Sequence, residues 1–302
     1  LDALVTICAQ QKRHKPSLDV TPSALHKAAL PDLALQWRRV VSSRTAVAPA
    51  ADLYAGRAFG LARDTARRFD CRLYVISAGL GLVAGDMPAP AYGLTVSPNT
   101  PESIQAKAEG PFAAADWFEE MLSGPCSAAW SEVFEQGVGH VFIALTRPYA
   151  GMVGTSLARL PQHYLDRLSL FGAGIESALP RLLHPTIAPY DDRLDTIFPG
   201  TRSDFAQRAM VHYADHIAQN ATDRDAGHRL IAATLASVDR PVRVVRPGAD
   251  DSALIALIRT LLTPQASASR LLRQLRDDNG IACEQGRFAR LFREAKSRAS
   301  AS

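Results

Sequence analysis

The chain has 302 residues, 47% of them hydrophobic. That length suits one large or two ordinary domains at about 150 residues each, and it excludes a disordered tail or a small stapled scaffold. Lys and Arg number 34 against 30 Asp and Glu, and the net charge of +4 does not by itself make a polyanion-coating protein, so any nucleic-acid face has to come from local clustering. The four cysteines, Cys8, Cys71, Cys126 and Cys283, lie far apart with no CxxC pair. This argues against a disulfide framework and a structural zinc site, and makes a reducing cytoplasm the expected compartment. No apolar run approaches the roughly 18 residues of a membrane helix, so no membrane partner is expected.

In chain order, residues 3–8 (ALVTIC) form a short unbroken apolar run of the kind that buried parallel strands show. The stretch 16–49, with Trp37, carries no assignable pattern. Residues 57–69 place Phe59, Leu61, Ala62, Ala66 and Phe69 near helical spacing, 72–76 (RLYVI) reads as a second strand, and 112–122 reads as a helix with Trp117, Phe118, Met121 and Leu122. Residues 141–145 (VFIAL) make a third strand. Strand alternating with helix predicts an α/β core with a largely parallel sheet. Residues 151–237 then read as a helical excursion, with Ser203 as the expected N-cap of one helix. Residues 242–245 (VRVV), between Pro241 and Pro247, are a fourth candidate strand ahead of a helix over 252–262.

The C-terminal segment gives the clearest local signal. Ser269 is the expected cap of a helix through Arg276, with Leu271, Leu272 and Leu275 as its buried stripe; Asn279-Gly280 ends it; residues 284–295 restart it with Phe288, Leu291 and Phe292. Here Arg270, Arg273, Arg276, Arg287, Arg290, Arg293, Lys296 and Arg298 face Asp277, Asp278, Glu284 and Glu294. The three-residue spacing of Arg287, Arg290 and Arg293 keeps them near one side of the second helix, where with Arg273 they are candidate nucleic-acid contacts. The same pattern fits a solvated hairpin that packs on the core or a partner. The expectation is therefore an α/β fold, a mainly parallel sheet core with helical insertions and a C-terminal helix-turn-helix-like module, divided at 1–150, 151–262 and 263–302.

In open parallel sheets ligands bind at the carboxyl ends of the strands. After the first candidate strand come Cys8 and the basic cluster Lys12, Arg13, His14 and Lys15; after the second comes Ser77-Ala78-Gly79-Leu80-Gly81; after the third come Thr146, Arg147 and Tyr149. Gly79 and Gly81 could let backbone amides approach an anion, with Arg147 as counter-charge, although these loops match no named phosphate motif and ordinary turns would look alike. Lys12, Cys8 and Ser77 are the candidate catalytic residues. Lys12 reads as a phosphate anchor or, if desolvated, a nucleophile, and Cys8 as a reactive thiolate or an inert buried thiol. His212 and His216 have the spacing of a metal pair but no third ligand nearby in sequence, so no metal site is expected.

Four motifs, Cys8-Ala9-Gln10-Gln11-Lys12, Asp52-Leu53-Tyr54-Ala55-Gly56, Ile76-Ser77-Ala78-Gly79-Leu80-Gly81-Leu82-Val83 and Pro90-Ala91-Tyr92-Gly93-Leu94-Thr95, together resemble the YaaA peroxide-stress family and its phage and bacterial relatives. The resemblance spans about residues 3–96. Leu80 stands where that family's turn has Tyr or His, and Ala91 where Pro precedes Tyr92. It implies an α/β core with a basic DNA-binding cleft, in the company of DNA protection or base-modification systems. It also adds Tyr54 to the catalytic candidates and Tyr92 to the phosphate-binding ones. The expected function is a DNA-binding protein acting in base modification or repair. The alternatives are a small-molecule enzyme for a free nucleotide or nucleobase, and a non-enzymatic DNA- or partner-binding protein.

Overall fold

The computed structural model describes residues 1–135, 137, 139–241, 246–263 and 265–300, without the side chains of 298–300. The expected strand at 242–245 and the Arg298 side chain lie outside the described residues. The chain divides into two compact units, Leu1–Pro241 and Val242–Ser302.

The first unit is built on five strands, β1 (Ala3–Ile7), β2 (Arg72–Ser77), β3 (Gly81–Ala84), β4 (Val141–Ala144) and β5 (Leu168–Phe171), in the order β3-β2-β1-β4-β5. All neighbours are parallel except β3, which turns back antiparallel on β2. Three of these strands follow the apolar runs of the sequence. The fourth, β5, falls inside the stretch expected to be helix-rich: LSLF carries no β-branched residue, and its strand character comes from pairing with β4 in full burial. The remaining strand, β3, occupies part of the expected glycine loop.

Period-two alternation sends the strand side chains to two separate cores. Ala3, Val5, Val141, Ile143, Leu168 and Leu170 join one cluster, and Leu4, Phe142, Ala144 and Phe171 the other. The first face is covered by α1 (Leu30–Ser42), α3 (Ala114–Leu122) and α4 (Arg147–Ala158), through side chains such as Trp37, Trp117 and Val153. The second face takes Ala62 and Ala66 of α2 (Arg57–Arg68), Ala209 and Met210 of α5 (Phe205–His212), and Ile231 of α6 (Arg224–Ala236). The patternless stretch 16–49 thus contains α1, whose Leu33, Trp37 and Val41 recur every four residues on the buried side.

Ser203 does not cap α5. The helix is entered through a 3-10 turn, Arg202–Asp204, where the Thr201 N–H donates to the Asp204 carboxylate at 2.8 Å, and the Ser203 hydroxyl is spent on that of Thr201, also at 2.8 Å.

The second unit contains α7 (Asp251–Leu261), α8 (Ala268–Asp277) and α9 (Gln285–Ser300). Leu254 and Ile258 of α7 share one core with Leu271, Leu275, Phe288 and Leu291. The segment expected to continue the sheet domain therefore belongs with the C-terminal helices, and the division falls at Pro241 rather than near 263. The cap of α8 is Ser267, whose Oγ accepts from Arg270 N–H at 3.3 Å, not Ser269. Gly280, with φ 63°, makes the turn beyond α8.

Candidate functional site

The chain leaves β1 for its neighbour β2 on one side and later adds β4 on the other, so the strand order reverses at β1. A reversal of this kind opens a crevice at the carboxyl ends of the strands. Cys8 follows directly on β1, and its Sγ lies 3.0 Å from the hydroxyl of Tyr149, in the first turn of α4 beyond β4. The pair bridges the two strand ends at that reversal.

Lys12 is held beside them by backbone pairing. Arg13 N–H donates to the Leu53 carbonyl and Ala55 N–H to the Gln11 carbonyl, both at 3.0 Å, so Lys12 pairs with Tyr54 as a one-residue antiparallel bridge. Its Nζ is 4.3 Å from the ring centre of Tyr92 and 5.7 Å from that of Tyr54. The hydroxyls of Tyr54 and Tyr92 are 2.9 Å apart, and that of Tyr92 is 2.5 Å from Ser77 Oγ. Tyr54, Tyr92 and Ser77 are fully buried, whereas Cys8 and Lys12 are half-buried. Of the predicted catalytic residues, all four converge here, and Tyr92 joins them rather than an anion site.

Burial lowers the Lys12 pKa below the ordinary lysine value, with Cys8 and Glu102 pulling the other way. Burial raises the phenols of Tyr54, Tyr92 and Tyr149, with Cys8 adding to the rise. The tyrosines are thus neutral hydrogen-bonding groups around an amine that gives up its proton more readily than a free lysine. Glu102 also accepts from Gln10 Nε2 at 3.3 Å.

Three of the other predicted positions do different work. Ser77 Oγ accepts the N–H groups of Gly79 at 3.2 Å and Leu80 at 2.9 Å, and the indole N–H groups of Trp117 and Trp37 donate to the carbonyls of Ala78 and Gly79 at 2.7 and 2.6 Å. The turn is therefore occupied by its own protein partners, and it leads into β3 rather than a helix N-terminus. A Cβ on Gly79 would stand 2.5 Å from the Tyr92 ring, and Gly81 has φ +81° with no room for one beside Met121 and Ser127. Both glycines serve packing and the turn, not a phosphate cradle. Arg147 is exposed at the start of α4. The residue of that segment that reaches the cluster is Tyr149, which lay in the strand-end segment but outside the expected site. Glu102 lies seven residues beyond the motif that ends at Thr95 and belongs to none of the motifs, so no sequence signal marks it.

The C-terminal arginines are largely engaged within their own unit. Arg287 and Arg290 each reach Asp251 at 2.6 Å, and Arg287 also donates to the Ala249 carbonyl at 2.8 Å. Arg293 Nε donates to the Ala289 carbonyl at 3.3 Å, while Arg273 is exposed. His212 is committed through Nδ1 to the Tyr190 hydroxyl at 2.8 Å, and among the described residues no three His, Cys, Asp or Glu side chains are grouped to hold a metal.

The fold and the site define an open α/β protein with an amine, a thiol and buried phenols gathered at its strand-order reversal. No family model, no curated protein and no solved structure matches the chain.

Proposed function

We propose that this is a DNA-directed enzyme acting in base modification or repair, with its reacting centre at Lys12 and Cys8. The observation that carries the reading is the convergence of Cys8, Lys12, Tyr54, Ser77, Tyr92 and Tyr149, drawn from separate segments, on the carboxyl edge of the sheet. Lys12 is the group best fitted to accept a proton or attack an electrophile, because burial favours its neutral form. The Cys8 and Tyr149 pair sits beside it as a second proton donor and acceptor. DNA as the substrate rests on the resemblance of residues 3–96 to the YaaA family and on the arginine-rich C-terminal unit, read as a helix-turn-helix-like module. The four unpaired cysteines suit a reducing cytoplasm, and among the described residues no helix is long and apolar enough to cross a membrane.

One observation favours the second reading, a centre for a free nucleotide or nucleobase: Asp251 already takes up two of the arginines expected to face DNA. Fluorescence polarisation with labelled single-stranded and duplex DNA decides between them. DNA-directed chemistry requires binding that weakens steeply with salt, because phosphate contacts release counterions. Absence of binding to either DNA at low salt overturns it. A nucleotide or modified base that then stabilises the protein by about 2.7 kcal/mol at one hundred times its dissociation constant supports the alternative.

A further inference from the structure

In the second unit, Arg246, Arg276 and Arg287 line one open cavity of about 390 Å³ together with Ala282, Cys283 and Glu284. We infer that this cavity is a binding site for a phosphate group, presented by a nucleic-acid backbone or as a free phosphate.

Three guanidiniums meet one carboxylate in the cavity wall, and that carboxylate is already in use. Glu284 accepts the N–H groups of Gly286 and Arg287, each at 2.7 Å, which caps the first turn of α9, and these two bonds hold its pKa below the usual carboxylate range. A carboxylate thus sits where an anion gains from the helix N-terminus, beside the cationic wall.

The arginines are held in place without exhausting their donors. Arg246 donates through Nε to the Arg276 carbonyl at 2.5 Å and through Nη2 to Asp277 at 3.0 Å. Arg276 donates through Nη2 to the Cys283 carbonyl at 2.7 Å. Arg287 uses Nε and Nη2 on Asp251 and the Ala249 carbonyl. Each guanidinium carries five N–H donors in a planar fork, so each keeps donors for a multidentate oxyanion. Asp251 and Asp277 steady two of the forks from outside the cavity lining. Fixed, planar, charged donors around one space match phosphate better than mobile lysines would.

The cavity draws no residue from the centre at Lys12. It is tested on the full chain by calorimetric titration with inorganic phosphate and by polarisation with a labelled duplex. At least one probe should bind, and the R246Q/R276Q variant should weaken that binding about tenfold for each guanidinium removed. R181Q, an exposed arginine of the first unit that is not among the cavity's lining residues, should leave it unchanged. E284Q removes the competing charge and should tighten binding, a gain that misfolding cannot imitate. Failure of the native protein to bind either probe overturns the site. So does unchanged affinity in a folded R246Q/R276Q variant, or a failure of E284Q to tighten binding. Phosphate binding without duplex binding retains the site and removes the DNA reading of the enzyme.

Discussion

Lys12 in the first unit and Arg287 with Arg290 in the second show two ways of placing a cation. Lys12 rests on the faces of two buried tyrosines, and its desolvation outweighs the pull of Cys8 and Glu102. Arg287 and Arg290 keep much of their surface in water and share the carboxylate of Asp251 at 2.6 Å. The first arrangement spends stability to make an amine easier to deprotonate. The second leaves two guanidiniums permanently charged and ties the start of α7 to α9. A cluster of positive letters in a sequence does not distinguish these outcomes; burial and the nearest carboxylate do.

A third cation sharpens the contrast and carries the largest expected effect. Arg208 is 1% exposed and donates to Asp204 at 2.8 Å and Asp195 at 2.7 Å. Replacing it with Met should strand the buried Asp204 carboxylate and cost about 3 kcal/mol, the lower end for breaking a buried pair. The lower end applies because Arg57 still reaches Asp204 at 3.2 Å. Urea unfolding checks this, and a variant as stable as the native protein would show that the network contributes no net stability.

Tyr92→Phe comes next. It removes the hydroxyl shared by Tyr54 and Ser77. Two buried hydroxyls then lose a partner, at an expected cost of about 1–3 kcal/mol by the same measurement. Ser77 keeps the amides of Gly79 and Leu80, so the turn should persist. A collapse of the fold would instead mean that the tyrosine pair, and not the two tryptophan donors, holds the turn.

The sheet was legible where burial is written as a short apolar run, as in VFIA of β4. It was illegible at β5, where Leu and Phe suit a helix equally well and only the partner strand decides. Cys8, Lys12 and Ser77 could be placed by strand-end logic because each ends a strand or follows closely on one. Their contacts with Tyr149 and Tyr92 depend on how distant segments cross, which no spacing records. Asp251 is the same lesson in reverse: it lies ahead of the C-terminal basic segment, yet it pairs with two of that segment's arginines.

The Lys12 environment makes a pH prediction. The folded protein releases the Lys12 proton below the ordinary value of 10.5 at which the unfolded chain releases it. Between those two points the unfolded chain binds more protons, so native stability should rise with pH and stop rising near 10.5. Tyr54, Tyr92 and Tyr149 act oppositely: their phenols stay protonated in the fold beyond the ordinary value of 10.0, so above about that pH their contribution is lost. Lys12→Met should abolish the rising limb and leave the falling one. Partial desolvation lowers His140, His212 and His228 from 6.5, so they titrate in a separate, more acidic window. Urea midpoints for both proteins across alkaline pH isolate Lys12 by difference, and an identical rise in the variant would assign it to another group.

The smallest effect is expected at Asp251, despite its short contacts. Asp251→Asn removes the charge that holds Arg287 and Arg290, yet both arginines and the aspartate are partly solvated, and water replaces much of what the pair supplied. The cap of α7 is untouched, because Asp250 and not Asp251 accepts the Ala253 N–H, at 2.8 Å. The core of the unit, from Leu254 to Leu291, is also unchanged. The unfolding midpoint should therefore move by no more than its own scatter at physiological salt, with any loss visible only at low ionic strength, where screening is weak. What should change is charge: two guanidiniums lose their carboxylate, so affinity for labelled duplex should rise while stability stays put. A large loss of stability would instead make the Asp251 pairs a structural tie on which the helical unit depends, and would erase the contrast with Lys12.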